Sequence, residues 1–439
     1  NGFTPFGLWG GLNDVMRNRD VSWGLRYNTF AFGDIGSNTN IDSRASKQRA
    51  QTSLSYAASN RNYNNRIMLT HSTGVSKKGW AFSLSGSRRW ADEGYVPGTY
   101  YNGWGYFAAV DKRIGQRHLL SFTTFGAPTE NGRQGAAVQE MMDLAGTNYY
   151  NPNWGYQNGE KRNASIGRTH QPVFILTHDF RLNNKTTLTT AAGYSFGNRS
   201  VTALDWYNAA DPRPDYYRYL PSYTSTWASS TDPSQGQQLY DLMKNDINYR
   251  QINWQNLYNV NRASMATIND ANGISGNSVT GQRSRYIIEE RIINTKRFNA
   301  NSVLNTKFGE HIDFTAGASF QQQNNHYFKK VDDLLGGQFY VNVNQFAERD
   351  FPVDNSANQF DLDHPNRILY QGDKFGYDYN INISRAAGWA QGVFRFNQVD
   401  FFLAGNLSYT KFYREGNVRN GLFPSDSKGK GAVNEFTDY

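Results

Sequence analysis

The sequence contains no cysteine in 439 residues. This absence excludes both disulfide bonds and metal sites built from thiolates. An exported protein that crosses the periplasm can have such a composition, although many other proteins share it. The absence of cysteine therefore limits the chemistry of the chain more than it indicates its location.

Long apolar runs are also absent. No stretch of about 18 consecutive apolar residues occurs, so the sequence predicts no membrane-spanning helix. The mean hydropathy of -0.71 and the hydrophobic content of 38% exclude a helical membrane protein. A membrane-spanning β-barrel passes this test, because only alternate residues of its strands need to be apolar.

The sequence offers little support for catalysis. It has no H-E-x-x-H motif, no P-loop and no G-x-G-x-x-G motif after a predicted strand. The seven histidines are dispersed. His71, His118 and His178 lie in or beside predicted strands, where a structural role is favoured over a catalytic one. We therefore predict no catalytic residues and no enzymatic activity.

The positive charge of the chain is not arranged for nucleic acid. The formal net charge is +8 and the pI is about 9.3. Lysine and arginine are spread along the sequence instead of being clustered on one helix or in one short run. A basic lumen or a surface that faces anionic lipid accounts for the excess. We predict no nucleic-acid partner.

What the sequence does contain is a repeated two-residue alternation, seen most clearly at residues 313–320. One face of this stretch is apolar and the other is small and polar, which is the period of a β-strand. The faces carry, respectively, Phe314, Ala316, Ala318, Phe320 and Thr315, Gly317, Ser319. The stretches 82–87, 188–196 and 401–410 alternate similarly. Because the polar face carries few charges, the pattern is typical of a transmembrane antiparallel β-barrel.

The alternation predicts eleven strands joined by connections of two kinds. Short turns alternate with long loops, and the three longest loops are 126–169, 198–285 and 331–374. An outer-membrane barrel has short periplasmic turns and long extracellular loops, whereas compact soluble domains rarely carry such loops. The predicted strands are 51–58, 64–71, 80–90, 105–113, 118–125, 172–182, 187–197, 289–308, 313–330, 377–396 and 399–414.

The strand count indicates part of a larger barrel. Bacterial single-chain barrels have an even number of strands, and residues 427–439 show no alternation where a twelfth strand is due. We expect residues 48–439 to form the first half of a barrel. Residues 1–47 lack long alternation and are predicted to form a small globular segment. Helices are predicted in two long loops, at 133–146 and 234–247.

The best candidate for ligand binding is the aromatic and asparagine-rich stretch 148–159. Tyrosine and tryptophan rings could stack on a sugar or peptide, and asparagine supplies hydrogen-bond donors and acceptors. The alternative is a loop packed on its own aromatic side chains. The predicted binding residues are Tyr149, Tyr150, Asn153, Trp154 and Tyr156, with Arg44, Arg49, Gln321 and Gln323 facing the lumen.

A weaker candidate is a calcium site in the loop 331–374. Carboxylate oxygens are ligands that Ca²⁺ prefers, and the candidates are Asp332, Asp333, Asp361 and Asp363. The spacing lacks the twelve-residue loop of an EF-hand, so a solvated acidic loop is the alternative. No other cofactor is predicted.

Residues 33–74, GDIGSNTNIDSRASKQRAQTSLSYAASNRNYNNRIMLTHSTG, resemble the junction between plug and barrel in TonB-dependent outer-membrane receptors. The likeness is greatest to large Bacteroidetes receptors that import oligosaccharides, peptides or metal chelates. It extends through residues 132–159 and, more thinly, to Arg414.

The resemblance implies a barrel of twenty-two strands in the whole protein, of which about eleven lie in this chain. Residues 1–47 would be the end of the plug domain. The TonB-contacting motif would lie upstream of residue 1.

The resemblance also implies partners and a location. The protein would lie in the bacterial outer membrane, in contact with lipid and lipopolysaccharide. Its loops would be extracellular, and its plug and short turns periplasmic. Energy would come from the TonB–ExbB–ExbD system, and a surface-exposed lipoprotein is a further expected partner.

Three functions are compatible with these expectations. The favoured one is a receptor that binds a nutrient at its loops and imports it with energy supplied through TonB. The second is a structural or assembly subunit of an outer-membrane complex that uses the same barrel without transport. The third is a soluble β-rich carbohydrate-binding protein.

Overall fold

The computed structural model describes residues 6–24, 26–32, 36–225 and 234–438. Parts of the predicted N-terminal segment (1–5, 25 and 33–35), part of the loop 198–285 (226–233) and residue 439 lie outside the described residues. No helix among the described residues is both long enough and apolar enough to cross a membrane. The chain is mostly β.

Strands far outnumber helices among the described residues. In chain order, the strands are β1 Arg19–Trp23, β2 Ser37–Ile41, β3 Gln51–Ala58, β4 Asn65–Ser72, β5 Trp80–Ala91, β6 Tyr101–Ile114, β7 His118–Gly126, β8 Thr129–Gly132, β9 Trp154–Gln157, β10 Glu160–Asn163, β11 Ile166–His170, β12 Val173–Arg181, β13 Thr186–Trp206, β14 Met265–Ile268, β15 Val279–Gln282, β16 Tyr286–Phe308, β17 Ile312–Asp333, β18 Tyr340–Val341, β19 Ile368–Leu369, β20 Lys374–Phe396, β21 Val399–Gly416 and β22 Gly429–Asp438. The helices are α1 Gln139–Ala145, α2 Pro221–Tyr223, α3 Ser234–Asn245, α4 Trp254–Ala263 and α5 Gln345–Asp350, with short 3₁₀ turns between them.

One antiparallel sheet of fourteen strands dominates the structure. Strands β7 and β8 are two parts of one interrupted strand, and so are β11 and β12. The interruptions fall at 127–128 and 171–172, and each contains a proline, Pro128 or Pro172. Proline has no N–H to donate to the hydrogen-bond ladder, so it is excluded from regular central strands. When each interrupted strand is counted once, the sheet has twelve strands, and they follow one another in an up-and-down order.

All eleven predicted strands form, but the prediction that residues 427–439 contain no strand is wrong. β22 pairs with β21 from Gly416↔Gly429 to Ser408↔Asp438. Its pairing is irregular between Phe412 and Arg414, so its side chains do not keep a strict period of two. Main-chain hydrogen bonding to the neighbouring strand determines this element, which a search for alternation cannot detect.

The predicted loop bounds also need correction. β13 continues to Trp206 in unbroken register with β16, so residues 198–206 are strand and not loop. The predicted loop 126–169 contains β8 and most of β11, which belong to the main sheet. In these parts the small and apolar alternation gives way to charged side chains, while the backbone ladder continues.

The two faces of the sheet differ as the alternation predicts. On β5, Phe82 and Leu84 are 46% and 56% exposed, whereas Ser83 and Ser85 are 0% and 6% exposed. The hydroxyl groups of Ser72 and Ser83 are 2.7 Å apart and those of Thr70 and Ser85 are 2.8 Å apart, so the polar face satisfies part of its own hydrogen bonding. An exposed apolar face and a covered polar face reverse the arrangement of a soluble sheet protein.

The N-terminal segment lies against the polar face. At one end, Leu12 and Val15 are fully buried in a cluster with Phe107 and Phe125 of the sheet. The ring of Trp9 stacks on Phe125 with centroids 3.9 Å apart. Further along the segment, the hydroxyl of Tyr27 lies 2.8 Å from that of Thr315 on β17. The segment therefore covers the polar face from β6 and β7 across to β17.

The long connections fold into a layer of their own at one end of the sheet. We call the described parts of residues 92–100, 133–165, 207–285 and 334–373 the loop layer. It contains the predicted helices, as α1 and α3, and a core in which Met141 and Leu144 pack with Met243. A second core surrounds Trp254, which is 0% exposed. The loops are thus packed structures with buried apolar side chains.

Gly98 shows how closely the loop layer is packed. Its φ is +74°, and a Cβ at this position would overlap the indole ring of Trp154. The backbone N–H of Gly98 donates to Glu93 Oε1 at 2.9 Å, and Lys161 Nζ donates to the same oxygen at 2.6 Å. Burial tends to raise the pKa of Glu93, but these bonds hold its pKa below the ordinary value.

We expect Gly98→Ala to loosen the loop layer around Trp154. The variant combines the strain of a positive φ, about 1 kcal/mol, with overpacking against the indole, a further 1–3 kcal/mol or so. Hydrogen exchange at residues 150–165 should become faster. Gly276→Ala is the matched control, because Gly276 has φ +75° and open space around it. Equal effects of the two substitutions would contradict the packing described here.

We also expect opposite labelling of cysteines introduced at adjacent positions on β5. The absence of native cysteine makes single-cysteine variants clean reporters. Leu84→Cys should react with an apolar maleimide in the folded protein, and Ser85→Cys should react only after unfolding. Faster labelling at position 85 than at position 84 would show that the faces are reversed.

Candidate functional site

A cleft opens between the loop layer, the polar face of the sheet and the N-terminal segment. It consists of two cavities of about 680 and 630 Å³. Both are lined by Asn62, Arg89, Tyr95 and Tyr101, so they share a wall. We call the two together the tyrosine–arginine cleft. Its floor includes Gly7 of the N-terminal segment.

Strands and loops position the aromatic side chains of the cleft differently. Tyr101 is the first residue of β6 and packs against Tyr63, with ring centroids 5.7 Å apart. Tyr95 comes from the loop that follows β5 and meets Tyr149 edge to face at 5.5 Å. Tyr95 and Tyr149 are 47% and 54% exposed. Exposed rings beside a cavity can stack on a ligand at little cost in conformational entropy.

The cleft is positively charged. Arg61, Arg89 and Arg133 line it, and no aspartate or glutamate does among the described residues. The guanidinium of Arg89 lies over the rings of Tyr63 and Tyr101, 5.8 and 5.2 Å from their centroids. Such cation–π contacts orient the guanidinium without neutralising its charge. The cleft is therefore suited to a ligand with a flat face and hydrogen-bond acceptors.

The structure divides the predicted binding stretch 148–159 into two groups. Tyr150 and Trp154 are buried, at 3% and 2% exposure. The Tyr150 hydroxyl donates to the carbonyl of Arg250 at 2.7 Å, and burial raises its pKa. Tyr149 lines the cleft, whereas Tyr156 is 41% exposed and meets Trp154 edge to face. Within this stretch, a ligand can therefore reach Tyr149 and Tyr156 but not the two buried rings.

Asn153 joins the stretch to its neighbours. Its side-chain amide donates to the carbonyl of Arg133 at 3.3 Å, and its backbone N–H donates to Asn151 Oδ1 at 3.1 Å. Asn153 lines a separate cavity of about 400 Å³ with Trp206 and Arg291. It therefore lies near the cleft but faces another space.

The predicted lumen arginines lie elsewhere on the N-terminal segment. Arg44 is bonded to Asp42 at 2.6 Å and to Asp179 of β12. It fastens the segment to the sheet, and its charge is already paired. Arg49 is exposed just before β3. Within the described part of the chain, neither arginine lines the tyrosine–arginine cleft.

The structure does not gather the four predicted calcium ligands. Asp333 is paired with Arg162 at 2.6 Å, Asp361 with His364 at 2.9 Å, and Asp363 with Lys428 at 2.6 Å. Asp332 follows Val331 near the end of β17. Across the residues described, no group of three or more histidine, cysteine or acidic side chains is arranged to hold a metal ion.

One short sequence match to a catalytic motif has no structural support. Residues 193–197, GYSFG, fit the G-x-S-x-G pattern of hydrolases. That pattern needs a sharp turn from a strand into a helix, which exposes the serine. In this chain the residues lie within β13, and Ser195 pairs on both sides, with Val173 of β12 and Arg297 of β16. Ser195 therefore has none of the geometry of a nucleophile elbow.

Arg89, Tyr95 and Tyr101 were not predicted from the sequence. The signal for Arg89 was present, because it continues the row Ser83, Ser85, Ser87 on the polar face. Tyr95 and Tyr101 carried no such signal, since only the folded loop brings them together.

Comparison with known proteins supports the fold alone. No protein-family model matches the sequence, and no curated protein matches it. Three solved structures are similar over most of this chain. The siderophore receptor PiuA from Acinetobacter baumannii is 12% identical, with a TM-score of 0.50, and the match covers 95% of this chain and 50% of PiuA. The ferric-catecholate import receptor Fiu from E. coli K12, in its open form, is 11% identical, with a TM-score of 0.52 and coverage of 96% and 55%. The ferric citrate transporter FecA, unliganded, is 8% identical, with a TM-score of 0.51 and coverage of 94% and 44%.

These proteins are TonB-dependent outer-membrane receptors, and they are transport proteins, not enzymes. The chain spans about half the length of each. Its large antiparallel sheet thus matches half of the barrel of a TonB-dependent receptor.

Proposed function

We propose that this chain belongs to an outer-membrane receptor that binds a nutrient in the tyrosine–arginine cleft and imports it with TonB-supplied energy. The nutrient would be an oligosaccharide, a peptide or a metal chelate. The observation that carries the proposal is that the N-terminal segment forms part of the cleft floor, through Gly7 and Gly10. A ligand in the cleft would contact the N-terminal segment, which in this proposal closes the path along the polar face of the sheet.

The contacts of the segment support a need for external energy. Burial of Leu12 and Val15 against the sheet contributes about 1.5–3 kcal/mol each. Polar contacts such as that from the Ser46 N–H to Asp111 Oδ2, 2.7 Å, add about 1 kcal/mol each. Ligand binding displaces the segment only by its differential affinity for the two states. A mechanical pull through TonB would supply the remainder.

The names of the solved structures of similar fold bear on which nutrient class to test. They are named for siderophore, ferric catecholate and ferric citrate. A metal chelate is therefore one class to test first. Partnership with TonB–ExbB–ExbD, with lipopolysaccharide, and membership of the Bacteroidetes type are parts of the same proposal.

A second candidate is a subunit of an outer-membrane complex, favoured by exposed apolar side chains in the loop layer. Phe346, Phe351 and Val353 are 60%, 50% and 97% exposed. They lie on or just after α5. Exposed apolar groups that lie together mark protein contacts. A surface-exposed lipoprotein or an assembly partner could cover them.

We expect uptake by cells that carry the whole protein to depend on TonB. Mass spectrometry of the medium should identify solutes that wild-type cells take up. These solutes should stay in the medium when the gene is deleted, when TonB is absent or when the proton gradient is dissipated. In the same assay Tyr95→Ala should raise the half-saturating concentration about 2- to 10-fold, through the loss of one stacking contact. Tyr240→Ala, exposed on α3, serves as the control. Uptake that survives uncoupling would refute active import.

The second candidate makes a separate prediction. Affinity purification of the whole protein in mild detergent should recover a stable partner in fixed ratio. Phe346→Ser with Phe351→Ser should release that partner and leave solute uptake unchanged. Recovery of the receptor alone from both forms would remove the support for a structural role.

A further inference from the structure

Two arginines stand directly opposite each other on neighbouring strands, and one of them, Arg89, lines the tyrosine–arginine cleft. In the pairing of β4 with β5, Arg66 is the partner of Arg89. Both side chains project from the polar face, in the same rows as Thr70 on β4 and Ser85 on β5. Directly opposed residues have Cβ atoms about 5 Å apart, and like charges in that position destabilise a sheet. We call Arg66 and Arg89 the arginine pair.

Nothing within the described part of the protein neutralises the arginine pair. Neither residue takes part in a salt bridge there, and the Nε atom of each is buried without a hydrogen-bond partner. Two other partly buried cations, by contrast, are matched by acidic groups. Lys329 lies 2.8 Å from Glu289, and Arg44 is held by two aspartates. A buried donor without a partner calls for an explanation, such as local strain or an absent solvent molecule or ion.

Arg89 lines both cavities of the cleft, so an anion in the cleft can reach its guanidinium. The other side of Arg89 is closely packed, because its strand partner Gly103 lies against the ring of Tyr101. The N-terminal segment passes close by at Gly10 and Gly11, where an added Cβ would meet the side chain of Arg89. The cleft beside Arg89 has no acidic lining, among the residues described, to compete for it.

We propose that the arginine pair binds an acidic group of the imported ligand: a carboxylate, phosphate or sulfate. This inference rests on the proposed function and narrows its substrate class to anionic solutes. Each guanidinium presents a planar fork of donors, which matches two oxygens of such a group. One anion bound to the two guanidiniums relieves their repulsion. Because Arg89 also meets Gly10 and Gly11, the same contact places the acidic group next to the N-terminal segment.

The test measures binding to the purified whole protein in detergent, without TonB. The probes are inorganic phosphate, glucose 6-phosphate, gluconate and glucose, titrated by calorimetry and by thermal unfolding. We expect both anionic sugar derivatives, glucose 6-phosphate and gluconate, to bind and to raise Tm, and glucose to bind more weakly. The variant Arg66→Gln with Arg89→Gln should weaken anion binding about 10- to 100-fold, as the loss of charge-assisted hydrogen bonds implies.

The matched control is Arg113→Gln with Arg117→Gln, which removes the same charge from exposed positions near the end of β6 and in the turn after it. It should bind anions like the wild type. Without any anion, the Arg66→Gln, Arg89→Gln variant should unfold at the same or a higher temperature than the wild type, because a like-charge pair has been removed. A large fall in Tm without ligand would instead assign the pair a structural role and overturn the proposal.

The remaining outcomes separate the site from the function. If inorganic phosphate binds with the same affinity as glucose 6-phosphate and gluconate, the site holds an inorganic anion and not the acidic group of a larger ligand. Equal affinity for glucose and gluconate would overturn the anionic class. TonB-dependent uptake by the arginine variant at the wild-type rate would refute this subsite and leave the receptor function standing. Anion binding without any uptake would keep the subsite and remove the transport function.

Discussion

The alternation of side chains along paired strands is the constraint on which the rest of this structure depends. Each strand sends one side chain to each face in turn, so one stretch of sequence determines both surfaces at once. Phe82 and Leu84 appear on the exposed face because Ser83 and Ser85 occupy the covered one. A shift of register by one residue would bring the phenyl rings onto the N-terminal segment. The hydroxyl pairs between β4 and β5 help to prevent that shift.

The covered face is shaped to hold another part of the chain. Small residues dominate it, and Gly105 has no side chain to keep the N-terminal segment away: an added Cβ would lie 2.9 Å from the carbonyl oxygen of Gly10. Polar contacts then fix the segment at separate points, by Arg44 on Asp179 and by Tyr27 on Thr315. A surface of hydroxyls and amides can exchange these contacts for water at a modest net cost. Such a surface can hold the segment and still permit it to leave, which a wholly apolar surface would not.

The sequence predicted the parts of the fold that depend on local periodicity and missed those that depend on pairing. The central strands and their faces follow from alternation alone. The strand β22, the extension of β13 to Trp206 and the interruption at Pro172 follow from the ladder that each strand meets. The same limit applies to the site. Residue type indicated Tyr149, but only folding shows that Trp154 is buried beneath Gly98.

The pairing of Arg66 with Arg89 could not have been read from one sequence, because it requires the register of two strands. Once that register is known, the polar-face pairs between β4 and β5 can be followed in order towards the cleft. Ser72 with Ser83 and Thr70 with Ser85 satisfy each other and need no ligand. The next pairs on the polar face do not hydrogen-bond to each other, and the last pair consists of two cations that repel each other. Selection for stability alone would place a carboxylate at one of these positions. The hydroxyls that bond to each other thus give way, at the end of the row beside the cleft, to a pair of like charges, which is the order expected if a solute completes that pair.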